Sequence, residues 1–148
     1  MIKRFEKEYD FLSNFYPCRI LYNRIFFPTV ENAFQAAKYV GNQRMTVYRQ
    51  FASLTPGQAK FKGRRIPLRN DWDAIRIDVM EELLRIKFSD PVLKRKLLDT
   101  GEQVLIEGNF WHDNFWGSCI CSKCRDHGQN HLGQLLMKLR TEFNINRS

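Results

Sequence analysis

Hydrophobic and polar positions along this chain change period several times. Ile20-Leu21-Tyr22 and Ile25-Phe26-Phe27 are short apolar runs on either side of Asn23-Arg24. Two β-prone runs separated by two turn-forming residues predict a hairpin. The rest of the first thirty residues also reads as β and turn. From Pro28 the period lengthens. Thr29 is a natural N-cap, Glu31 falls in the electropositive first turn, and the helix should run to about Tyr39 and stop at Gly41. A short helix is expected over 44–52, and Thr55-Pro56 starts another with the proline at its first position. The clearest helix lies between Asp71 and Phe88, where Trp72, Ile75, Val79, Leu83 and Ile86 recur at helical spacing. Asp90-Pro91 opens a shorter one that ends near Gly101. Val104-Leu105-Ile106 is a candidate strand. A last helix from about Asn130 to Phe143 carries Leu132, Leu135, Leu136, Leu139 and Phe143 on one face. No repeat, low-complexity stretch or linker interrupts the pattern. The fold class is therefore α+β: one mostly α-helical domain over residues 1–148 with a small β-sheet.

Composition narrows the picture. At 148 residues, 43% hydrophobic and 14% aromatic, the chain can bury one core and does not read as disordered. A net charge of +8 favours phosphorylated or polyanionic partners. No apolar run approaches the ~20 residues of a membrane span. The first residues lack the apolar segment of a secretory signal, so a cytoplasmic location is expected. Three of the four cysteines crowd into Cys119-Ile120-Cys121-Ser122-Lys123-Cys124. Without a secretory signal they read as reduced thiols rather than a disulfide framework. Together with His127 these three cysteines offer zinc four soft ligands. Zinc sites usually join two separated segments, however, and the two sulfurs of a C-x-C pair sit awkwardly on one tetrahedral ion. The expectation is no metal and no cofactor.

Several polar groups could carry chemistry. On the helix that starts at Thr29, Glu31 and Lys38 share a face about 10.5 Å apart along the axis. The lysine side chain leans back toward the N-terminus, and Gln35 stands one turn from Glu31. A carboxylate, an amide and an amine would line one wall. The same charges also simply complement the helix dipole. Trp72 continues an apolar stripe, so it either packs in the core or stacks on a planar base. Asp71 reads as a helix cap. In His112-Asp113-Asn114-Phe115-Trp116-Gly117, Asp113 could serve as general acid or base or as an ordinary turn residue. Gly128 and Gly133 flank the start of the last helix, where exposed N–H groups near Asn130 and Gly133 would suit a phosphate; the alternative is a packing glycine.

Six blocks in order then resemble one family. Phe11-Leu12-Ser13-Asn14-Phe15-Tyr16-Pro17, the run Pro28 to Lys38, Arg69-Asn70-Asp71-Trp72, Val79-Met80 with Lys87-Phe88, Trp116-Gly117, and Gly128 to Met137 follow the pattern of the NADAR family of YbiA-like N-glycosidases. The blocks span residues 11 to about 140. The resemblance implies an enzyme that hydrolyses the C–N bond between a ribose and an exocyclic amine of a base. Early riboflavin-pathway intermediates and ADP-ribosylated guanine are the substrate types it suggests. It also implies Glu31, Asp113 and Lys38 as catalytic residues. The implied substrate-binding residues are Asn14, Phe15, Gln35, Trp72, Trp116, Gly117, Asn130 and Gly133. The segment after Trp116-Gly117 departs from the family's usual glycine-rich loop, being rich in cysteine instead.

Breaking a glycosyl C–N bond builds positive charge on the ribose and leaves a nitrogen that takes a proton. Glu31 would orient water or stabilise the cation, and Asp113 would be the second carboxylate. Lys38 would grip phosphate or form a Schiff base with the opened sugar. The rival reading is a non-enzymatic module that binds nucleic acid or ADP-ribose, using the basic run Lys60, Lys62, Arg64 and Arg65.

Overall fold

The computed structural model describes residues 1–147. The chain divides into two compact units, Asn14–Ser89 and a second formed by Met1–Ser13 with the chain from Asp90 onward. Helices dominate both, with two short two-stranded sheets, so the α+β class holds. Among the described residues no helix is long and apolar enough to cross a membrane.

In the Asn14–Ser89 unit, β1 (Ile20–Tyr22) and β2 (Ile25–Phe27) pair antiparallel with Ile20 opposite Phe27. Asn23 and Arg24 both adopt left-handed backbone, φ 48° and 72°, as a two-residue hairpin turn requires. Ile20, Tyr22 and Phe27 are buried, while Leu21 and Phe26 face solvent with Arg19 over the Phe26 ring at 4.0 Å. The helix after the hairpin, α1 (Val30–Ala37), is buried at every position. Thr29 caps it, its hydroxyl accepting from the Asn32 N–H at 3.1 Å. The helix ends at Lys38 rather than Gly41, because the chain turns there and Arg69 takes over its last carbonyls. Next come α2 (Arg44–Ala52), α3 (Pro56–Gly63) and α4 (Trp72–Lys87). Thr55 and Gln58 form a reciprocal cap on α3, a device that stabilises a helix start by roughly 1 kcal/mol. α1 packs against all three of these helices and the hairpin, which places it at the centre of this unit.

Two expectations shift in α4. Its buried face is Trp72, Val79, Met80, Leu83, Leu84 and Lys87, with Ile75 and Ile86 only half-buried. The stripe is thus wider than the one-in-3.6 reading. Lys87 is buried to 1% exposure, its ammonium 5.6 Å from the Tyr16 ring and 5.2 Å from the Phe88 ring.

The second unit opens with a short 3₁₀ helix over Lys7–Leu12, where β and turn were expected. α5 (Pro91–Asp99) is capped by Asp90, whose carboxylate accepts from the Val92 and Leu93 amides. It ends before Gly101, which takes φ 65°. α6 (His131–Arg147) packs on α5 and runs beyond Phe143. Val104–Ile106 is not a strand. Ile2 donates to Val104 and accepts from Ile106, and a single bridge forms at Leu105, since Ile2 alone lies alongside. The sheet of this unit is instead β3 (Gly108–Asn109) paired in parallel with β4 (Ser118–Cys119). Strands of two residues carry no periodicity for a sequence reading to detect.

Candidate active site

α1 supplies the first cluster. Glu31 and Gln35 are both buried, and the Gln35 amide donates to Glu31 Oε1 at 3.2 Å. The N–H of Glu31 donates to the Asn14 carbonyl at 3.0 Å, so Asn14 holds the start of the helix. The Asn14 side chain is buried too, with its amide 3.6 Å from Met80 Sδ. Asn14 Oδ1 and Gln35 Oε1 are buried acceptors with no hydrogen-bond partner. Such orphaned acceptors mark places where water or a polar ligand completes the structure. Asn32 acts differently, donating to the carbonyls of Phe51 and Leu54 at 2.9 Å each and so tying α1 to the end of α2.

Lys38 follows at the end of the helix, half-buried. Burial pushes its ammonium below the ordinary lysine value of 10.5; the Glu31 charge opposes this, while Arg64 and Lys60 add to it. Glu31, Gln35 and Lys38 therefore do share a neighbourhood, and two cations of the basic run belong to it. The other two are engaged elsewhere. Lys62 donates to Gln50 Oε1 at 3.1 Å, and Arg65 lies over the Phe61 ring at 3.4 Å.

The Arg69-Asn70-Asp71-Trp72 block is structural in this unit. Arg69 donates its backbone N–H to Lys38 O and a guanidinium N–H to Ala37 O, satisfying the C-terminal carbonyls of α1. Asp71 stands at the N-cap of α4 as expected, its carbonyl accepting from Ala74 and Ile75, but its carboxylate grips Arg69 through two bonds, at 2.6 and 3.1 Å, rather than the helix amides. Trp72 is 5% exposed, with its ring tilted against Phe34 at 5.0 Å between centroids. The ring packs in the core of this unit, one of the two readings its apolar stripe allowed. Phe15, by contrast, is 42% exposed.

The second unit holds the remaining residues. Asp113 is half-buried; its Oδ1 accepts from the Phe115 and Trp116 amides at 3.1 and 3.0 Å, while the Asn109 side chain holds its backbone N–H and carbonyl. The carboxylate thus shapes a turn. Trp116 lies edge-on to Phe115 and His131. Most of the amides expected to cradle a phosphate at the start of α6 are taken by the fold. The amides of Gln129, Asn130, His131 and Leu132 donate to the carbonyls of Asn114, Gly117, Phe115 and Trp116. The Asn130 side chain accepts from the Glu107 N–H at 3.0 Å and donates to Leu105 O at 2.9 Å. Asn130 is consumed by the fold, at φ 54°. Gly133 is a packing glycine, since a Cβ there would stand 2.1 Å from the Leu105 carbonyl. Gly117 is another, with the Glu107 carbonyl 2.2 Å from the position of a Cβ.

The sequence profile of the NADAR domain matches residues 2–144. The chain belongs to the NADAR family. An N-glycosidase of Nostoc punctiforme is 37% identical over 139 residues, covering 91% of this chain and 86% of that protein. The chloroplastic riboflavin biosynthesis protein PYRR of Zea mays is 38% identical over 127 residues; the match covers 78% of this chain and 20% of that protein. The NMR structure of Escherichia coli YbiA superposes with a TM-score of 0.79 at 30% identity, covering 99% of this chain and 87% of that one. The six motif blocks therefore identified the NADAR family correctly, and the α+β class with it.

Sequence reasoning missed three contributors. Lys60 and Arg64 looked like a solvated basic face, and only the packing of α3 on α1 brings their charge to Lys38. His112 was read as part of an aromatic loop, yet its ring meets the cysteine cluster.

Proposed function

We infer that this NADAR protein hydrolyses the N-glycosyl bond between a phosphate-bearing ribose and an exocyclic amine of a pyrimidine- or purine-type base. It is a hydrolase of the N-glycosidase class. The supporting observation is the buried Glu31 carboxylate, held by the Gln35 amide on the same helix as Lys38.

The chemistry follows from these groups. Positive charge develops on the ribose ring as the C–N bond breaks. A carboxylate already oriented and largely out of water stabilises that charge, or takes a proton from the attacking water, with little reorganisation. Lys38, with Lys60 and Arg64 adding to the positive field, suits the sugar phosphate as a set of point charges. These cations favour α1 and α3 for the phosphate over the α6 N-terminus, where the Gln129 to Leu132 amides are occupied. Asp113, in the other unit, is the second carboxylate of the family pattern, and its part in the reaction rests on that resemblance. Asn14 Oδ1 and Gln35 Oε1 accept hydrogen bonds from substrate hydroxyl or amino groups.

Two substrate types meet this description: early riboflavin-pathway ribosylamines and guanine carrying ADP-ribose on its exocyclic amine. Purified protein is incubated with each, and mass spectrometry follows release of the sugar phosphate and of the free amine. Release from either one upholds the reading and names the substrate. Intact substrates in both arms overturn it.

A further inference from the structure

The cysteine-rich segment of the second unit carries chemistry that an N-glycosidase reaction does not use. His112 Nδ1 lies 3.3 Å from Cys124 Sγ and 3.6 Å from both Cys119 Sγ and Cys121 Sγ. All four ligand atoms fall within 4.8 Å of one another. An imidazole nitrogen makes one hydrogen bond, so hydrogen bonding does not explain three sulfurs gathered around it. A tetrahedral ion does. With Zn–S near 2.3 Å and Zn–N near 2.0–2.1 Å, the nitrogen and each sulfur stand about 3.6 Å apart. Two of the three observed separations equal that value and the third is 3.3 Å.

We propose that His112, Cys119, Cys121 and Cys124 form a structural zinc site. Three thiolates and an imidazole are a closed donor set for zinc, with no position left for water or substrate; oxygen-seeking cations such as Mg²⁺ and Ca²⁺ are poorly served by it. Binding sends the three thiol protons to solvent and takes the imidazole neutral, its remaining proton on Nε2.

The fold answers the objections raised by the spacing. Zinc sites usually join separated segments, and this one does: His112 comes from the loop after β3, seven residues before Cys119. Cys119 ends β4, where the Ile120 amide binds the Asn109 carbonyl. The chain then turns sharply. Arg125 donates to Cys121 O and Asp126 to Cys119 O, with both donors at left-handed φ, 56° and 60°. That turn swings Cys121 and Cys124 onto the same point as Cys119. The Cys124 N–H donates to Cys121 Sγ at 3.4 Å, the kind of amide–sulfur contact that steadies a ligating thiolate. His112 itself sits at φ 66°, an uncommon conformation for a non-glycine residue, and a metal bond offers a reason to hold it there. His127, the histidine nearest in sequence, is not among the gathered ligands.

The site is tested on the full chain by its metal content. Protein is produced in zinc-supplemented medium and purified under reducing conditions without chelator, then analysed by elemental mass spectrometry. One zinc per chain is expected, retained in His127→Ala. His112→Ala should weaken affinity by more than the ~10–100-fold typical of losing an outer-shell partner. His112→Cys should keep the metal as a four-thiolate site. Should His112→Ala fail to fold, wild-type protein stripped of metal and titrated with Co²⁺ provides the readout. Intense visible bands with thiolate-to-cobalt charge transfer support the site. A weak octahedral cobalt spectrum, zinc well below one per chain, a Cys121–Cys124 disulfide in freshly isolated protein, or metal lost in His127→Ala but kept in His112→Ala would each overturn it. None of these measurements depends on glycosidase activity, so the two proposals fail separately.

Discussion

Gln35 donates to Glu31 Oε1 from one helical turn away, at 3.2 Å, and both side chains are buried. An amide in that position fixes the carboxylate without neutralising it. Substitution of Glu31 by Gln preserves shape and the acceptor oxygen while removing the charge. The variant should fold with an almost unchanged Tm and hydrolyse substrate about 10²–10⁴ times more slowly, the usual weight of one acid–base group. Single-turnover kinetics beside thermal melts check this; near wild-type turnover would reduce Glu31 to a dipole-complementing residue.

Gly63 reaches the same pair from α3. A Cβ added there would lie 1.8 Å from Gln35 Oε1 and 2.7 Å from its Cδ. The backbone needs no glycine at this position, so Gly63→Ala should still fold, push the Gln35 side chain aside and lose stability by the weight of its bond to Glu31. Losing a hydrogen bond to a charged group costs about 1.5–3 kcal/mol, so kcat/KM should fall roughly ten- to a hundredfold. Unchanged kinetics would show that Glu31 needs no tether.

Lys38 gives a pH signature. Burial lowers its pKa below 10.5, so its positive charge is lost at a lower pH than that of an ordinary lysine. The charge is complete below the shifted pKa and disappears as pH rises through it. KM for a phosphate-bearing substrate should therefore rise along that alkaline limb. Lys38→Arg, whose charge does not titrate in this range, should flatten the limb. A sugar adduct trapped on wild-type Lys38 by borohydride would assign the residue a covalent role instead.

Asp113→Asn separates turn from chemistry. An asparagine Oδ1 can accept the same two amide bonds that Asp113 Oδ1 accepts from Phe115 and Trp116. Stability should change by less than about 1 kcal/mol in urea unfolding. Turnover should drop by about 10²-fold or more if the carboxylate takes part as an acid–base group. Full activity in a folded variant removes Asp113 from the reaction.

Gly133→Ala should act on the fold. Its Cβ would meet backbone, the Leu105 carbonyl at 2.1 Å, and the Asn130 side chain at 2.4 Å. Backbone cannot swing away as Gln35 can, so a loss of about 1–3 kcal/mol is expected from denaturant melts. A drop in KM-linked phosphate binding without loss of stability would restore the phosphate reading of this helix start.

What the sequence by itself determined is whatever short-range chemistry decides. Thr29, Thr55 and Asp90 cap helices because each side-chain oxygen meets amides two or three residues ahead. Asn23-Arg24 makes its turn because both residues tolerate left-handed backbone between two apolar runs. Glu31, Gln35 and Lys38 share a neighbourhood because helical geometry puts them there, and ordered motif blocks were enough to name the NADAR family. Other outcomes required the chain to meet itself at a distance. Val104–Ile106 has strand-like residues but only Ile2 beside it. Trp72 is a core ring because Phe34 arrives against it. Asn130 looked like a phosphate ligand until Leu105 and Glu107 took both ends of its amide. The choice of His112 over His127 follows the same logic, since sequence distance ranks His127 with Cys124, whereas the pairing of β3 with β4 and the turn at Arg125-Asp126 bring His112 to the sulfurs. Local signals are written in neighbouring residues; a polar group's partner is settled only when burial forces each donor and acceptor to find one.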